Sequence, residues 1–217
     1  MGKRNAILSV IICFALTNLT NAIFDNAYKE LDKDGDIPAN KNNYALNEIC
    51  LNELQKQMNL EKHASLVYKQ MAAFFNHNKV GKKGFAKMFD EQAKEEHEHF
   101  EKFLNYINLR GSYVDNFNVK MPSKSTWDST YQALEDAIEL ENYFYNEIMR
   151  IHRIADKSCK DVHLQNFLEN EFIEEQVTSI AQLTKLSTIL KNAGSEGFGE
   201  YTVDRDLLEG KLALGTL

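Results

Sequence analysis

The stretch Lys94-Glu95-Glu96-His97-Glu98-His99-Phe100-Glu101-Lys102-Phe103 decides the fold. It lies in a run without Pro or Gly between Phe85 and Arg110, so we place it in the middle of a long helix. Side chains three and four residues apart share a helix face, and one largely apolar face carries Glu96 and His99. A buried carboxylate and imidazole cost several kcal/mol unless they are paired or bind a cation. Glu-x-x-His places an oxygen and a nitrogen donor one turn apart, which suits a transition metal such as iron. A solvated run of charges that only touches the apolar face is the alternative.

Three further long helices repeat this pattern, with one polar side chain inside an apolar stripe. These side chains are Glu61 in the first helix, Glu141 in the third and Gln176 in the fourth. We place the first helix at residues 44–76, the second at 82–110, the third from a cap at Ser125 or Thr126 to about 156, the fourth at about 162–191, and a short fifth helix at about 197–214. The irregular stretch 111–125 is long enough to return the chain to the other end of a bundle. The sequence therefore predicts an all-α four-helix bundle with a long crossover between helices two and three.

The four polar positions coincide at the middle of the predicted bundle. Buried Glu61, Glu96 and Glu141 would repel one another unless protons or cations neutralised them. A carboxylate cluster with one histidine fits two hard or borderline metal ions, and iron fits best. We expect Glu96 to bridge two irons, with Glu61 and His99 on one side and Glu141 on the other. Gln176 would hold a water or an oxygen species nearby.

Two further features accompany the predicted site. Tyr68 lies on the apolar stripe of the first helix, where it is expected to donate a hydrogen bond to a ligating carboxylate. On the opposite face of the second helix, Glu95, Glu98 and Glu101 step by three and are predicted to point away from Glu96. An ordinary solvated acidic face is the alternative for this acidic stripe.

Four segments of the chain resemble the signature segments of the ferritins. They are Asn59-Leu60-Glu61-x-x-Ala64-Ser65-x-x-Tyr68, Glu95-Glu96-x-x-His99, Leu140-Glu141 and Glu175-Gln176-Val177. The similarity runs from Tyr44 to Gly210 and is greatest to the secreted ferritins of arthropods. It implies a hollow shell of 24 subunits, built from this chain alone or together with a light-type chain. It also implies oxidation of Fe(II) by dioxygen and storage of the ferric mineral inside.

The resemblance assigns roles to particular residues. The oxidation site, with two irons per subunit, falls on Glu61, Glu96, His99, Glu141 and Gln176, with Tyr68 close by, and mineral nucleation falls on Glu95, Glu98 and Glu101. All ligands survive, so the chain resembles a heavy-type subunit; the alternatives are a catalytically weak light-type subunit and a metal-free secreted bundle that binds a receptor. His152 and Glu169 match an iron-entry channel, in which Asn166 replaces a common Asp. Phe172 stands where heavy-type chains commonly have Tyr.

Composition and the N-terminal segment limit the partners and the location. The chain has 217 residues, a formal charge of −7 and a pI near 5.4, which argues against a nucleic-acid partner. Residues 1–22 are predicted to be a secretory signal peptide, 23–43 an N-terminal arm and 44–217 the bundle domain. The apolar part of the leader is too short to cross a bilayer, and no later segment is predicted to do so. We therefore expect no membrane partner, and a location outside the cell or in the lumen of the secretory pathway.

Two cysteines remain after the predicted leader. An oxidising compartment favours a disulfide between Cys50 and Cys159. Cys50 lies near the start of the first helix and Cys159 follows the third, and these ends meet when the two helices run antiparallel. The intrachain bond is preferred, and a bond to a neighbouring subunit is the alternative.

Overall fold

The computed structural model describes residues 44–115 and 117–212, and this part of the chain is helical with no strand. The helices are α1 (Glu48–Asn76), α2 (Lys83–Leu109), α3 (Thr130–Ile154), α4 (Val162–Leu168), α5 (Glu174–Ala193) and α6 (Phe198–Leu208), with single π-helical turns at Ala155–Cys159 and Glu169–Ile173. Together, α4, the second π turn and α5 form the fourth helix of the bundle, and α6 is the short fifth helix. The predicted fold class is confirmed. The predicted leader and arm lie outside the described residues.

The directions of the first three long helices explain why a long crossover joins α2 to α3. α1 and α2 are antiparallel: the rings of Phe75 and Phe85 are 5.9 Å apart, and the Ser65 hydroxyl donates to the carbonyl of Ala93 at 2.7 Å. α3 is antiparallel to α1, since Glu53 pairs with Arg150 at 2.5 Å and, further along α1, the Tyr68 hydroxyl donates to Glu141. α2 and α3 therefore run in the same direction, and residues 110–129 carry the chain back along the bundle. Within the described residues, no helix has the length and apolar character that crossing a membrane requires.

Side-chain caps define where three of the helices begin. Asn47 accepts a hydrogen bond from the N–H of Ile49, and Asp161 accepts one from Leu164, each at 2.9 Å. The cap of α3 is Ser129, so the predicted cap at Ser125 or Thr126 was wrong. The difference arises because the segment before Ser129 is held outside the helix by buried Trp127, whose indole N–H donates to an Asp136 carboxylate oxygen at 2.8 Å.

A belt of polar side chains divides the core into two apolar clusters. One cluster lies at the α6 end of the bundle and includes Phe75, Phe85 and Leu186; the other lies at the opposite end and includes Leu54 and Phe103. Between them lie the buried polar side chains that we call the polar belt: Gln57, Glu61, Ser65, Glu96, His99, Glu141 and Gln176. Because hydrocarbon lies on both sides, the charges of the polar belt must be neutralised locally.

The π turn at Glu169–Ile173 sets the phase of the fourth helix. Leu164, Leu168, Phe172 and Gln176 are all buried and lie four residues apart, whereas a regular α-helix repeats every 3.6 residues. The wider π turn absorbs the excess and keeps these side chains on one face. The helical period of the sequence predicts that Ile173 shares this face with Gln176; the structure places Phe172 there instead and leaves Ile173 only partly buried.

The helix α6 packs against the start of α2. A Cβ atom added to Gly84 would lie 1.9 Å from the backbone oxygen of Asp204, so only glycine permits this approach. The Asp204 side chain accepts a hydrogen bond from the Phe85 N–H at 3.0 Å, and Lys82 pairs with Glu200 at 2.6 Å. These contacts hold the fifth helix against the bundle.

At the opposite end, a disulfide and a buried ion pair tie the helix ends together. Cys50 and Cys159 are bonded within the chain, with their Cα atoms 6.4 Å apart, so the preferred intrachain bond is confirmed. The Arg110 guanidinium pairs with Asp161 at 2.6 Å and donates to the backbone oxygen of Tyr44 at 2.5 Å. The start of the bundle, the end of α2 and the start of α4 thus meet at one place.

Candidate metal centre

Three predicted ligands meet in the polar belt. Glu61 of α1 and Glu96 and His99 of α2 each offer one ligand atom, and these atoms all lie within 4.8 Å of one another. Nδ1 of His99 is 3.4 Å from Oε2 of Glu96. All three side chains are buried, so the apolar stripes deliver them to the interior as their spacing predicted.

The third and fourth bundle helices complete the centre. Buried Glu141 of α3 accepts hydrogen bonds from the Tyr68 hydroxyl and from the Gln176 side-chain amide. The Gln176 amide also lies 3.3 Å from the Glu141 backbone oxygen. The structure thereby brings together all six residues that the sequence assigned to the oxidation site. Tyr68 orients Glu141, as a hydrogen-bond donor to a ligating carboxylate would.

Burial and mutual repulsion make these carboxylates poor acids. Burial, and then the charge of Glu96, raise the pKa of Glu61 well above its usual value. Burial and Glu141 likewise raise the pKa of Glu96 well above normal. Burial also raises the pKa of Glu141, although hydrogen bonds from Tyr68 and Gln176 oppose the shift. The centre therefore binds protons strongly, and a cation that replaced them would relieve the same repulsion.

Two residues that were not predicted from the sequence, Gln57 and Glu175, also contact the centre. The Gln57 amide donates to Oε1 of Glu61 at 2.7 Å, and Nε2 of His99 lies 2.9 Å from Oε2 of Glu175. Gln57 Oε1 is buried and lacks a hydrogen-bond partner among the residues that the structure describes. The signals were present: Gln57 lies one turn before Glu61 on α1, and Glu175 directly precedes Gln176.

Glu95, the first residue of the acidic stripe, is in contact with the centre. Glu95 hydrogen-bonds the carboxylate of Glu175, and burial together with that contact raises the pKa of Glu95 to about 8. Burial alone would also raise the pKa of Glu175, but hydrogen bonds from His99 and Glu95 lower it to about 2. The expectation that Glu95 points away differs from this geometry, because Glu175 of α5 reaches the rim of the centre. Glu98 is exposed and Glu101 is half-buried.

The predicted channel residues and the Phe172 position lie on the same half of the chain. Nε2 of His152 is 2.6 Å from Oε1 of Glu169, so these two side chains are paired, and Asn166 is exposed. Phe172 is 2% exposed, and its ring centroid lies 5.3 Å from that of His99. Phe172 thus packs against a predicted ligand without offering a polar atom.

Comparison with known proteins agrees with this architecture. Residues 51–193 match the family described as the Ferritin-like domain. The chain belongs to the ferritin family. Ferritin from the crayfish Pacifastacus leniusculus is 38% identical over 154 residues, which cover 71% of this chain and 84% of the relative. Soma ferritin of Lymnaea stagnalis is 36% identical over 170 residues, 78% of this chain and 95% of the relative. Ferritin-1 heavy chain of Schistosoma mansoni is 35% identical over 164 residues, 76% of this chain and 94% of the relative.

Proposed function

We propose that this ferritin chain is a heavy-type subunit of an iron-storage shell. It binds Fe(II) within the bundle, passes the electrons to dioxygen and deposits ferric mineral in the cavity. The observation that supports this function is the convergence of buried Glu61, Glu96 and His99 within 4.8 Å. A structural subunit needs no charges there, and burying unneutralised carboxylates destabilises a bundle.

Each residue has a role that its chemistry permits. Glu61 and His99 would hold one Fe(II), Glu141 would hold the second, and Glu96 would be shared by both. Carboxylate oxygens with one imidazole suit Fe(II), whereas a zinc site of the structural type would use thiolates or more histidines. Gln176 and Tyr68 hold Glu141 in place through their hydrogen bonds to its carboxylate.

Removing single ligands tests the proposal. Glu61→Ala and His99→Ala should each abolish fast Fe(II) oxidation in stopped-flow measurements while the shell still assembles. Glu139→Ala is the matched control, because Glu139 is an exposed glutamate of α3, and it should oxidise iron at the unaltered rate. Oxidation at full speed in both ligand variants would refute the assignment. Slow oxidation in the unaltered protein would instead identify a light-type subunit.

The same proposal extends to assembly and location. We infer a shell of 24 subunits, either of this chain alone or mixed with a light-type chain, which iron enters past His152 and Glu169. Residues 1–22 direct the chain into the secretory pathway, and the disulfide is consistent with an oxidising compartment. Mass measurement of the shell purified from its source, with N-terminal sequencing, tests the composition and the removal of the leader.

A further inference from the structure

A wall of aromatic rings connects the metal centre to a tyrosine–histidine pair. The ring of Phe172 lies 5.3 Å from His99 and 5.4 Å from Phe167, centroid to centroid. Phe167 stacks on Tyr106 at 3.8 Å with an interplanar angle of 10°. Phe103 reinforces this wall, stacked on Phe172 at 4.3 Å. His99 and Tyr106 are seven residues apart on α2, a rise of about 10 Å.

The surroundings of Tyr106 suit loss of an electron together with a proton. The phenol is 3% exposed, and burial raises its pKa to about 12, so it is a neutral phenol at physiological pH. Its oxygen lies 3.0 Å from Nδ1 of His163, which can accept the phenol proton, and it accepts a hydrogen bond from Arg110 at 2.6 Å. A buried phenol that is oxidised without a base must become a cation, which its surroundings disfavour. His163 removes that obstacle and, being exposed, can pass the proton to water.

We propose that Tyr106 is a redox-active residue that supplies an electron through the aromatic wall when the centre holds too little Fe(II). The inference rests on the proposed function of the centre. With hydrogen peroxide as co-reactant, cleavage of the O–O bond takes two electrons, and one Fe(II) supplies only one. Tyr106 supplies the other: Fe(II), hydrogen peroxide and the Tyr106 phenol become Fe(III), hydroxide, water and the Tyr106 phenoxyl radical. The phenol proton moves to His163 and on to the solvent, and a solvent proton completes the water at the centre, so that no free hydroxyl radical is released.

Tyr68 is nearer to the centre but is less suited to this step. Its hydroxyl donates to Glu141, so its proton would pass to a proposed iron ligand and weaken iron binding. The proton of Tyr106 leaves away from the centre. Tyr106, Phe167 and His163 also line a surface pocket of about 780 Å³, through which a small water-soluble one-electron donor can restore the phenol.

The test detects the radical directly. The assembled shell is loaded with less than one Fe(II) per chain without air, mixed with equimolar hydrogen peroxide and frozen rapidly for electron paramagnetic resonance. The unaltered protein should give a tyrosyl signal, which ring-deuterated tyrosine narrows. Tyr106→Phe should lose it, whereas the exposed control Tyr113→Phe should retain it. A signal that persists in Tyr106→Phe overturns the inference.

Two further variants separate a redox role from a structural one. Phe167→Leu keeps an apolar side chain but removes the stacked ring, and it should lower the radical yield without disturbing a metal ligand. His163→Gln keeps a hydrogen-bond acceptor but no base, so the radical should form more slowly and with a changed solvent isotope effect; an unchanged rate and isotope effect overturn the role of His163. Oxidation of Fe(II) by dioxygen, measured in parallel, should be normal in Tyr106→Phe. If the unaltered protein does not oxidise Fe(II) with dioxygen, both the proposed function and this inference are overturned. If it oxidises Fe(II) normally but Tyr106→Phe keeps the full radical signal, this inference alone is overturned.

Discussion

Arg110 shows how much one buried charge depends on its partner. Its side chain is 8% exposed and that of Asp161 is 12% exposed, at 2.6 Å from each other. Burial alone would raise the pKa of Asp161, but hydrogen bonds from Arg110 and from the Leu164 N–H outweigh it and lower that pKa below 3.8. A lowered carboxyl pKa contributes stability above the unfolded pKa, and this contribution is lost as the pH falls through the folded value.

We therefore predict a pH-dependent effect of Asp161→Asn. The variant keeps a capping side chain for α4 but leaves Arg110 buried without a charged partner, which should cost about 2–4 kcal/mol of unfolding free energy at pH 7. The difference from the unaltered protein should begin to shrink below about pH 4, where Asp161 becomes protonated in the unfolded chain, and should be smallest below the lower pKa of the folded state. Urea denaturation at each pH measures the difference in unfolding free energy, with the exposed Asp115→Asn as control. A constant difference from pH 7 to pH 3 would contradict the assigned cause.

The outer members of the acidic stripe are predicted to act after oxidation. Changing Glu98 and Glu101 together to Gln should slow growth of the mineral and leave the first two-iron turnover unchanged, because neither side chain touches the centre. Glu95 stays in place, since it contacts Glu175. The absorbance of the growing core and stopped-flow oxidation measure the two steps. An equal fall in both rates, or the same effect from the exposed Glu48→Gln and Glu139→Gln pair, would remove the distinction.

At the scale of elements, Gly84 is the residue of α2 that allows α6 to pack closely against it. Gly84→Ala should displace α6, since the new methyl group would overlap the Asp204 carbonyl. Hydrogen exchange should then become faster in Phe198–Leu208 and stay unchanged at the disulfide end of the bundle. Lys83→Ala, at the exposed neighbouring position, is the control. Protection of α6 at the unaltered level would mean that this close approach is not required.

The sequence predicted the buried face of a helix best where the apolar residues recur at the regular helical period. On α1 the ideal helical period predicts one buried stripe of seven residues, and the structure buries all of them: Leu54, Met58, Glu61, Ser65, Tyr68, Ala72 and Phe75. On α3 the same period predicts a stripe from Tyr131 to His152, which was only partly correct: Leu134, Glu141 and Ile148 are buried, whereas Tyr131 is half-buried. The π turns were not predicted, because their spacing of four residues also fits an α-helix. Contacts between helices, such as that of Glu175 with His99, depend on this phase and could not be derived from one sequence.

At the scale of the whole molecule, the disulfide is the longest covalent constraint. Cys50 and Cys159 are 109 residues apart, and closing a loop of this size should stabilise the folded chain by about 3–5 kcal/mol in the chain-entropy model. The double variant Cys50→Ser, Cys159→Ser should therefore unfold at a lower denaturant concentration. In a reducing agent, the unaltered protein should unfold at the same low denaturant concentration as the double variant. The reducing agent should not lower the unfolding midpoint of the double variant any further. Equal midpoints for all of these samples would show that the bond constrains nothing.

The closed loop also determines what a protease can achieve. The crossover, residues 110–129, is the longest non-helical connection that the structure describes, and exposed connections are where proteases cut. It lies between Cys50 and Cys159, so a cut there opens the backbone without freeing either piece. A nicked subunit would run as an intact chain on a gel until it is reduced, and would then separate into two fragments. In a shell that encloses its cargo, a subunit cut once in the crossover would remain one covalent piece, so the shell would keep its contents.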